Sequence, residues 1–347
     1  MQTSPLAFIT TDDSRVNLDG DTLLVRSPAS DAITRIPLGV TGAVAVVGRR
    51  VECTTASLLA LARRGIPCVF VGVGGKPLSL VPASDTILPG LELRRAQHTI
   101  DAQRRADVDA GCGLALVRPI IVAKIEAMAA ILRQHDRSHD DVELSGPIAT
   151  LDRATHSAGC ATAIRTLRGI EGGASAAYWQ AMPALFRGEL TTTRRTRRPP
   201  RDECNAALSF GYGLLNAEVW CVAEALGFDC ALGILHEPCD RRASLPLDLC
   251  EPFRHAIIDR LVLRLTNRGE LGRNHFESEG EAVYLNADGR RIFLAAYARC
   301  MQAQASGPDA EPVDVRGRLA TWVTQHAALT KSVACMCEPQ EVDAHAV

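Results

Sequence analysis

The run that decides the fold extends from Gly42 to Pro82 and reads GAVAVVGRRVECTTASLLALARRGIPCVFVGVGGKPLSLVP. Its two continuous apolar stretches, Ala43 to Val47 and Pro67 to Val73, are typical of buried strands. Between them, Thr54 or Thr55 can cap a short helix that a glycine ends. The run therefore predicts a strand, a helix and a closing pair of strands.

Upstream of this run, the turn signal Asp19-Gly20-Asp21 separates two apolar segments, which predicts a β-hairpin. The glycines at positions 72, 74 and 75 suggest a phosphate-binding loop, but Phe70 stands where that loop needs glycine and Pro77 where it needs Ser or Thr. A second hairpin turn is the better interpretation.

From Leu91 onward apolar residues recur mostly at helical spacing, and the fold class is therefore α+β. We expect a small N-terminal β-rich domain over residues 1–84 and a larger, mostly α-helical domain over residues 85–347. Helices are predicted over Leu91 to Asp109, Pro119 to Gln134, Ile148 to Leu167, Glu171 to Phe186, Glu203 to Leu226, Leu247 to Leu265, Arg291 to Gln304 and Val315 to Ala328.

Composition excludes several classes of protein. The 347 residues carry a net charge of −2 and only 4% aromatic residues, so neither a strong basic field nor a platform of stacked rings is indicated. The twelve cysteines form no Cys-x-x-Cys pair, which argues against a zinc ribbon or an iron–sulfur cluster. Because no targeting segment or long apolar run occurs, we expect a cytoplasmic protein without a membrane partner.

Candidate chemistry is densest between Gly227 and Arg254. An apolar segment ends at His236, which we expect to lie in a loop. Ser244 can cap the next helix, which places Asp248 and Glu251 on one face. An imidazole with carboxylates suits Mg²⁺ or Mn²⁺. The alternative is structural: carboxylates near a helix start are commonly solvated, and spacing alone identifies no third ligand.

Two further segments are unusual. Glu171 stands between glycines, which allows close approach to a lone carboxylate, although the residues alone favour a solvated helix start. The run from Thr191 to Arg201 is polar and basic and has two prolines near its end, which predicts a mobile loop.

Four motifs, in order and on matching predicted elements, carry a resemblance to the CRISPR-associated protein one family. The run Gly42 to Pro82 also resembles the β domain of that family, and the similarity spans about residues 40–265. The motifs are Gly169-Ile170-Glu171-Gly172 with Tyr178 nearby, Asn205 to Leu215, Gly233-Ile234-Leu235-His236, and Ser244 to Arg254.

The resemblance implies a catalytic site. Glu171, His236 and Glu251 match the residues that bind one divalent metal, Mg²⁺ or Mn²⁺, in the family. Asp248 matches a further acidic position and is a candidate additional ligand, either direct or acting through a neighbour. The implied activity is that of a metal-dependent DNA integrase and endonuclease, which joins 3′-hydroxyl ends of short double-stranded DNA fragments into a CRISPR repeat array by transesterification.

Under this resemblance the basic residues are candidates for contacts with DNA phosphates, although a basic run can equally be a solvated loop. The candidate arginines are Arg194, Arg195, Arg197, Arg198, Arg201 and Arg254. Tyr178 and Tyr212 are candidates for stacking on bases or for the core.

The family also implies partners: a homodimer formed through the N-terminal domains, and a small subunit of the CRISPR-associated protein two family that completes a heterohexamer. One alternative is a catalytically inactive DNA-binding scaffold of the same complex. A second alternative is a small-molecule metallohydrolase, which the absence of a His-x-x-x-His helix signature disfavours.

Overall fold

The computed structural model describes residues 6–28, 30–81, 91–105, 112–137, 143–237, 242–303 and 314–337. Strands dominate up to residue 81 and helices dominate afterwards, which confirms the predicted α+β class. The domain boundary predicted between residues 84 and 85 lies outside the described residues.

The described part of the N-terminal region contains two four-stranded sheets and one α-helix. The first sheet has the order β1-β5-β7-β8 and the second the order β4-β3-β2-β6. The elements are β1 (Leu6–Ile9), β2 (Arg15–Asp19), β3 (Thr22–Ser27), β4 (Ser30–Pro37), a 3₁₀ turn (Leu38–Val40), β5 (Ala43–Val46), β6 (Glu52–Cys53), α1 (Thr55–Arg63), β7 (Cys68–Val71) and β8 (Pro77–Val81).

Local signals in this region act as the sequence predicts. Gly20 adopts φ +57° in the turn between β2 and β3, and these strands pair antiparallel from Asp19–Thr22 outward. The Thr54 side chain accepts the backbone N–H of Ser57 at the start of α1. Strands β7 and β8 pair antiparallel, so residues 72–76 form the predicted hairpin turn.

The central strand β5 has a hydrophobic cluster on each side. Val44 and Val46 pack into a cluster confined to the N-terminal region. Ala45, and Val69 on β7, point the other way and belong to the large cluster formed mainly by the helices. Because side chains alternate across a strand, the sheet contributes side chains to two hydrophobic clusters, one on each face.

The rest of the described chain is helical apart from one hairpin. Its elements are α2 (Leu91–Arg105), α3 (Cys112–Asp136), α4 (Ser145–Cys160), α5 (Ile164–Ala181), a 3₁₀ turn (Met182–Leu185), α6 (Glu203–Ala225), α7 (Ser244–Phe253), a π-helical turn (Arg254–Asp259), α8 (Arg260–Asn267), a 3₁₀ turn (Arg273–His275), β9 (Phe276–Glu279), β10 (Ala282–Leu285), α9 (Ala287–Gln302) and α10 (Val315–Cys337).

Some predicted helix bounds were wrong. The predicted break before Glu171 does not exist, and this residue lies inside α5. Leu167, Ala174 and Tyr178 recur on one face and are buried, so packing of that face outweighs the low helix propensity of the nearby glycines. Ser244 begins α7, but its side chain makes no cap hydrogen bond.

Two glycines join the N-terminal region to the helices. A Cβ atom on Gly213 of α6 would lie 1.7 Å from the carbonyl oxygen of Gly75, in the β7–β8 turn. The turn therefore rests directly on the backbone of α6, at contact distances that only glycine permits. None of the described helices is long and apolar enough to cross a bilayer.

Candidate functional site

Three helices bring one lysine and two glutamates together. The Nζ atom of Lys124 on α3 lies 2.5 Å from Oε1 of Glu171 on α5 and 2.8 Å from Oε2 of Glu251 on α7. Ser175, one turn after Glu171, donates its hydroxyl to the same Oε1 atom at 2.9 Å. The two glutamates that the family resemblance pairs as ligands therefore share a single cation.

Lys124 is buried, with 7% of its surface exposed, between the fully buried Ile121 and Ile125. Burial on its own lowers the pKa of Lys124, but the charges of Glu251 and Glu171 outweigh burial and raise the pKa above its usual value. Lys124 is therefore a cation at neutral pH.

Glu251 is held as a carboxylate by two cations. Its Oε1 atom lies 3.1 Å from Nη1 of Arg254, while its Oε2 atom is buried and pairs with Lys124 by charge, without a hydrogen bond of good geometry. Burial raises the pKa of Glu251, but Arg254 and then Lys124 overcome this effect and lower the pKa to about 2.

His236 is oriented by a carboxylate behind it. Its Nδ1 atom lies 2.5 Å from Oδ1 of Asp248, which is fully buried. Asp248 also accepts the backbone N–H groups of residues 234, 235 and 236 at 2.6, 3.0 and 3.0 Å. The carboxylate of Asp248 thus fixes both the loop and the ring, and Nε2 is the ring nitrogen available to a ligand.

The donor set fits a hard divalent cation. Glu171 and Glu251 supply carboxylate oxygens, one of them the poorly satisfied Oε2 atom, and His236 supplies a nitrogen. Within the described ranges, however, no three His, Cys, Asp or Glu side chains stand close enough to hold a metal ion as they are. The ammonium of Lys124 stands between two of the ligands instead.

A large cavity adjoins this cluster. Its volume is about 1440 Å³, and it lies between the β7–β8 turn, α6 and the segment from Arg242 to Arg254. Arg254 lines the cavity and contacts Glu251, so it connects the cavity to the carboxylates. The basic side chains along the wall are Lys76, Arg94, Arg197, Arg198, Arg242 and Arg254.

The basic segment after Thr191 divides into exposed and anchored arginines. Arg197 and Arg198 are exposed and line the cavity, and Arg194 is exposed as well. Arg201 pairs with Glu281 at 3.0 Å on the surface. Part of the predicted mobile loop is held in place, because Arg195 donates to Asn205 at 2.7 Å.

Arg195 stacks on two aromatic rings. Its guanidinium lies 5.6 Å from the ring centroid of Trp179 and 5.5 Å from that of Tyr212. The guanidinium of Arg254 lies 5.3 Å from the centroid of the same Tyr212 ring, so this ring has two arginines near it, Arg195 and Arg254. Arg195 is a structural anchor of the cavity wall in this arrangement.

The structure corrects the expected role of Tyr178. The ring is fully buried, and its hydroxyl donates to Oδ2 of Asp259 at 2.7 Å, so it offers no surface to a base. Tyr212 lines the cavity, and its hydroxyl donates to Oδ1 of Asp259 at 2.5 Å. Nδ1 of His255 also lies 2.7 Å from Asp259.

Sequence reasoning missed two residues of this site, Lys124 and Asp259. Lys124 had a usable signal in the sequence. It lies three residues after Ile121 and four before Met128, on the face of α3 that is buried. A charge on a buried face requires a partner. Asp259 had a weaker signal, a carboxylate one turn after His255.

Comparisons with known proteins identify the family to which the chain belongs. Residues 7–299 match the family described as "CRISPR associated protein Cas1". The chain is 32% identical over 311 residues to a CRISPR-associated endonuclease Cas1 of Chlorobaculum tepidum, covering 87% of both proteins. It is also 32% identical over 310 residues to a Cas4/Cas1 fusion of Geobacter sulfurreducens, covering 87% of this chain and about half (54%) of the fusion.

A solved structure shows the same fold. A chain of a Cas6-RT-Cas1–Cas2 complex superposes with a TM-score of 0.79 at 22% identity, covering 96% of this chain and 35% of that chain. The family match extends over most of the sequence, and the first motif through the last lie inside it. The chain therefore belongs to the Cas1 family of CRISPR-associated proteins.

Proposed function

We propose that this protein is a divalent-metal-dependent DNA integrase and endonuclease of CRISPR adaptation. It would join the 3′-hydroxyl ends of short double-stranded DNA fragments into a CRISPR repeat by transesterification. The observation that carries the proposal is the position of Glu251, which belongs to the carboxylate cluster and contacts an arginine of the basic cavity. Relatives named Cas1 endonucleases support the same reaction class.

Glu171, His236 and Glu251 are the residues that would hold the metal, with Mg²⁺ or Mn²⁺ expected from the donor set. When bound, such an ion supplies positive charge that polarises the phosphate and stabilises the departing 3′-oxygen. Asp248 is proposed to act behind His236, since both of its oxygens already accept hydrogen bonds.

The protein's own contribution is to place and neutralise the DNA. Arg197, Arg198 and Arg254 would contact backbone phosphates, which requires no reading of sequence. In the reaction a DNA 3′-hydroxyl oxygen bonds to phosphorus, the bond to the displaced 3′-oxygen breaks, and that oxygen takes up the proton. If water replaces the 3′-hydroxyl, the same groups hydrolyse the strand.

Family membership supports a proposal about partners. We propose a homodimer joined through the N-terminal region, and a heterohexamer completed by a small CRISPR-associated protein two subunit in the cytoplasm. A fold neighbour is part of a Cas1–Cas2 complex, which supports the second partner.

A catalytically inactive DNA-binding scaffold of the same complex is the second candidate. It is favoured by one observation: Lys124 already neutralises Glu171 and Glu251. The two candidates differ in whether a metal changes the products formed on DNA.

An integration assay tests the proposal. The full-length protein, with the small subunit, is incubated with a short duplex bearing free 3′-hydroxyls and a supercoiled repeat plasmid, in Mn²⁺ or in EDTA. We expect joined products only with Mn²⁺, and at least a hundredfold less product from Glu171→Gln. Glu189→Gln, a change to an exposed glutamate paired with Arg273, serves as the matched control.

Two results would count against the integrase. Joining by Glu171→Gln at the wild-type rate would remove the site assignment. Salt-sensitive DNA binding without joining in Mn²⁺ would favour the scaffold.

A further inference from the structure

The ammonium of Lys124 stands in the space that a cation shared by Glu171 and Glu251 would have to enter. It lies 2.5 Å from one carboxylate and 2.8 Å from the other, and the two carboxylates come from different helices. In the described part of the chain, no other lysine or arginine forms an ion pair with both glutamates.

The position of Lys124 is built into the core. Its helix neighbours Ile121 and Ile125 are fully buried, and the lysine side chain itself is 9% exposed. A buried lysine without a partner is strongly unfavourable, so its ion pairs with the two glutamates compensate for its burial. The same pairs keep the two carboxylates from repelling each other.

The spacing that Lys124 imposes differs from that of a metal site. Ammonium–carboxylate contacts have distances near 2.5–2.8 Å here, whereas Mg²⁺ requires oxygen ligands at about 2.0–2.1 Å. This agrees with the finding that the described residues include no ready-made group of three metal ligands. Loading therefore needs the ammonium to leave.

We propose that Lys124 is a built-in counter-ion which competes with the divalent ion for Glu171 and Glu251, and so sets the metal concentration at which the site loads. The inference rests on the proposed function only in taking these two glutamates as metal ligands. A divalent ion that replaces Lys124 attracts the two carboxylates with twice the charge. Na⁺ or K⁺ carries the same charge as the ammonium and gains no electrostatic attraction by replacing it. Lys124 is thus a positioning residue that also disfavours monovalent ions.

Calorimetric titration with Mn²⁺ tests the competition. Full-length wild-type protein, Lys124→Met and the control Lys331→Met are titrated without DNA, and each is melted in EDTA and in saturating Mn²⁺. Lys331 is a suitable control because it pairs with Glu92 on the surface, at 3.0 Å. We expect Lys124→Met to bind Mn²⁺ at least tenfold more tightly than wild type and to show a larger Mn²⁺-induced rise in Tm.

An unchanged or weaker Mn²⁺ affinity in Lys124→Met would overturn the inference. If Lys124→Met does not fold in EDTA, Lys124→Gln takes its place, since its neutral amide can still donate to a carboxylate. Failure of the proposed function looks different: wild type would then bind no Mn²⁺, or would bind it equally well with Glu171→Gln.

Discussion

Nδ1 of His236 lies 2.5 Å from Oδ1 of Asp248, and this carboxylate is fully buried beneath the loop that carries the histidine. A carboxylate in this position keeps the ring proton on Nδ1 and leaves the Nε2 lone pair free for a metal. Three backbone N–H groups donate to the same carboxylate, so loop conformation and ring orientation depend on one residue.

Asp248→Asn therefore tests orientation without removing a proposed direct ligand. In the variant, one carboxylate oxygen becomes an NH₂ group, which cannot accept the N–H groups that Asp248 accepts. The His236 ring and its loop therefore lose part of the interaction that orients them. We expect Mn²⁺ affinity and strand joining to fall by about 10- to 100-fold. Asp152→Asn, on the surface of α4, is the control, and equal Mn²⁺ affinity in both variants would contradict the orienting role.

Arg197 and Arg198 test whether the cavity holds DNA. Both are exposed and line it, so each is expected to neutralise a phosphate. Replacing both with Gln should weaken duplex binding and lower the slope of log affinity against log salt by about one per contact. Arg291→Gln, 74% exposed on α9, should leave that slope unchanged. Equal slopes in the double variant and wild type would exclude these phosphate contacts.

Asp259 should matter for stability. It accepts hydroxyl groups from Tyr178 and Tyr212 and pairs with His255, all inside the protein. Burial raises the pKa of both tyrosines, which therefore remain neutral donors. Asp259→Ala should lower the free energy of unfolding by about 2 kcal/mol or more, because buried donors lose their acceptor. Denaturant unfolding measures this, and Tyr178→Phe should cost less.

Gly213 is predicted to tolerate no side chain. The Cβ of Gly213→Ala would meet the carbonyl oxygen of Gly75 at 1.7 Å, so the β7–β8 turn must move off α6. We expect a loss of about 3 kcal/mol or more in unfolding free energy. Gly169→Ala, in open space within α5, should instead stabilise by about 0.5–1 kcal/mol. Similar effects at both glycines would contradict the close approach.

His326 predicts a pH dependence of stability away from the site. Burial lowers the pKa of His326 to about 4, against 6.5 when unfolded, and its Nε2 atom has no hydrogen-bond partner among the residues that the structure describes. Between these values the unfolded chain takes up the proton, so stability is full above about pH 6.5 and falls toward pH 4. The Tm of His326→Leu should fall less over this range. Parallel Tm curves for both proteins would refute the assignment.

Much of the fold follows from local signals. The β2–β3 hairpin, α1 and α6 were predicted within a residue or two, because turn residues, a threonine cap and a long apolar pattern specify them. The position of Glu171 inside α5 could not be predicted in this way. The extent of α5 depends on the packing of Leu167 and Tyr178 in the large hydrophobic cluster, against helices far away in the sequence. The residues adjacent to Glu171 do not specify this packing.

The candidate site residues could be chosen by motif, but their spatial arrangement could not be predicted. His236, Asp248 and Glu251 lie close in sequence, and Asp248 does contact His236. The bridge from Lys124 to Glu171 and Glu251 joins residues 47 and 127 positions apart, which no spacing rule relates. Tyr178 was ambiguous for the opposite reason, since an aromatic residue at helical spacing suits both a core and a binding face.

The sheet that contains β5 affects whether the N-terminal region can be removed from the protein. Because Val44 faces one hydrophobic cluster while Ala45 and Val69 face the other, removing the first 84 residues would strip the helical core of part of its lining. A fragment beginning at residue 85 would expose apolar surface and be prone to aggregation. The two regions are therefore expected to fold, and to be degraded, as one unit.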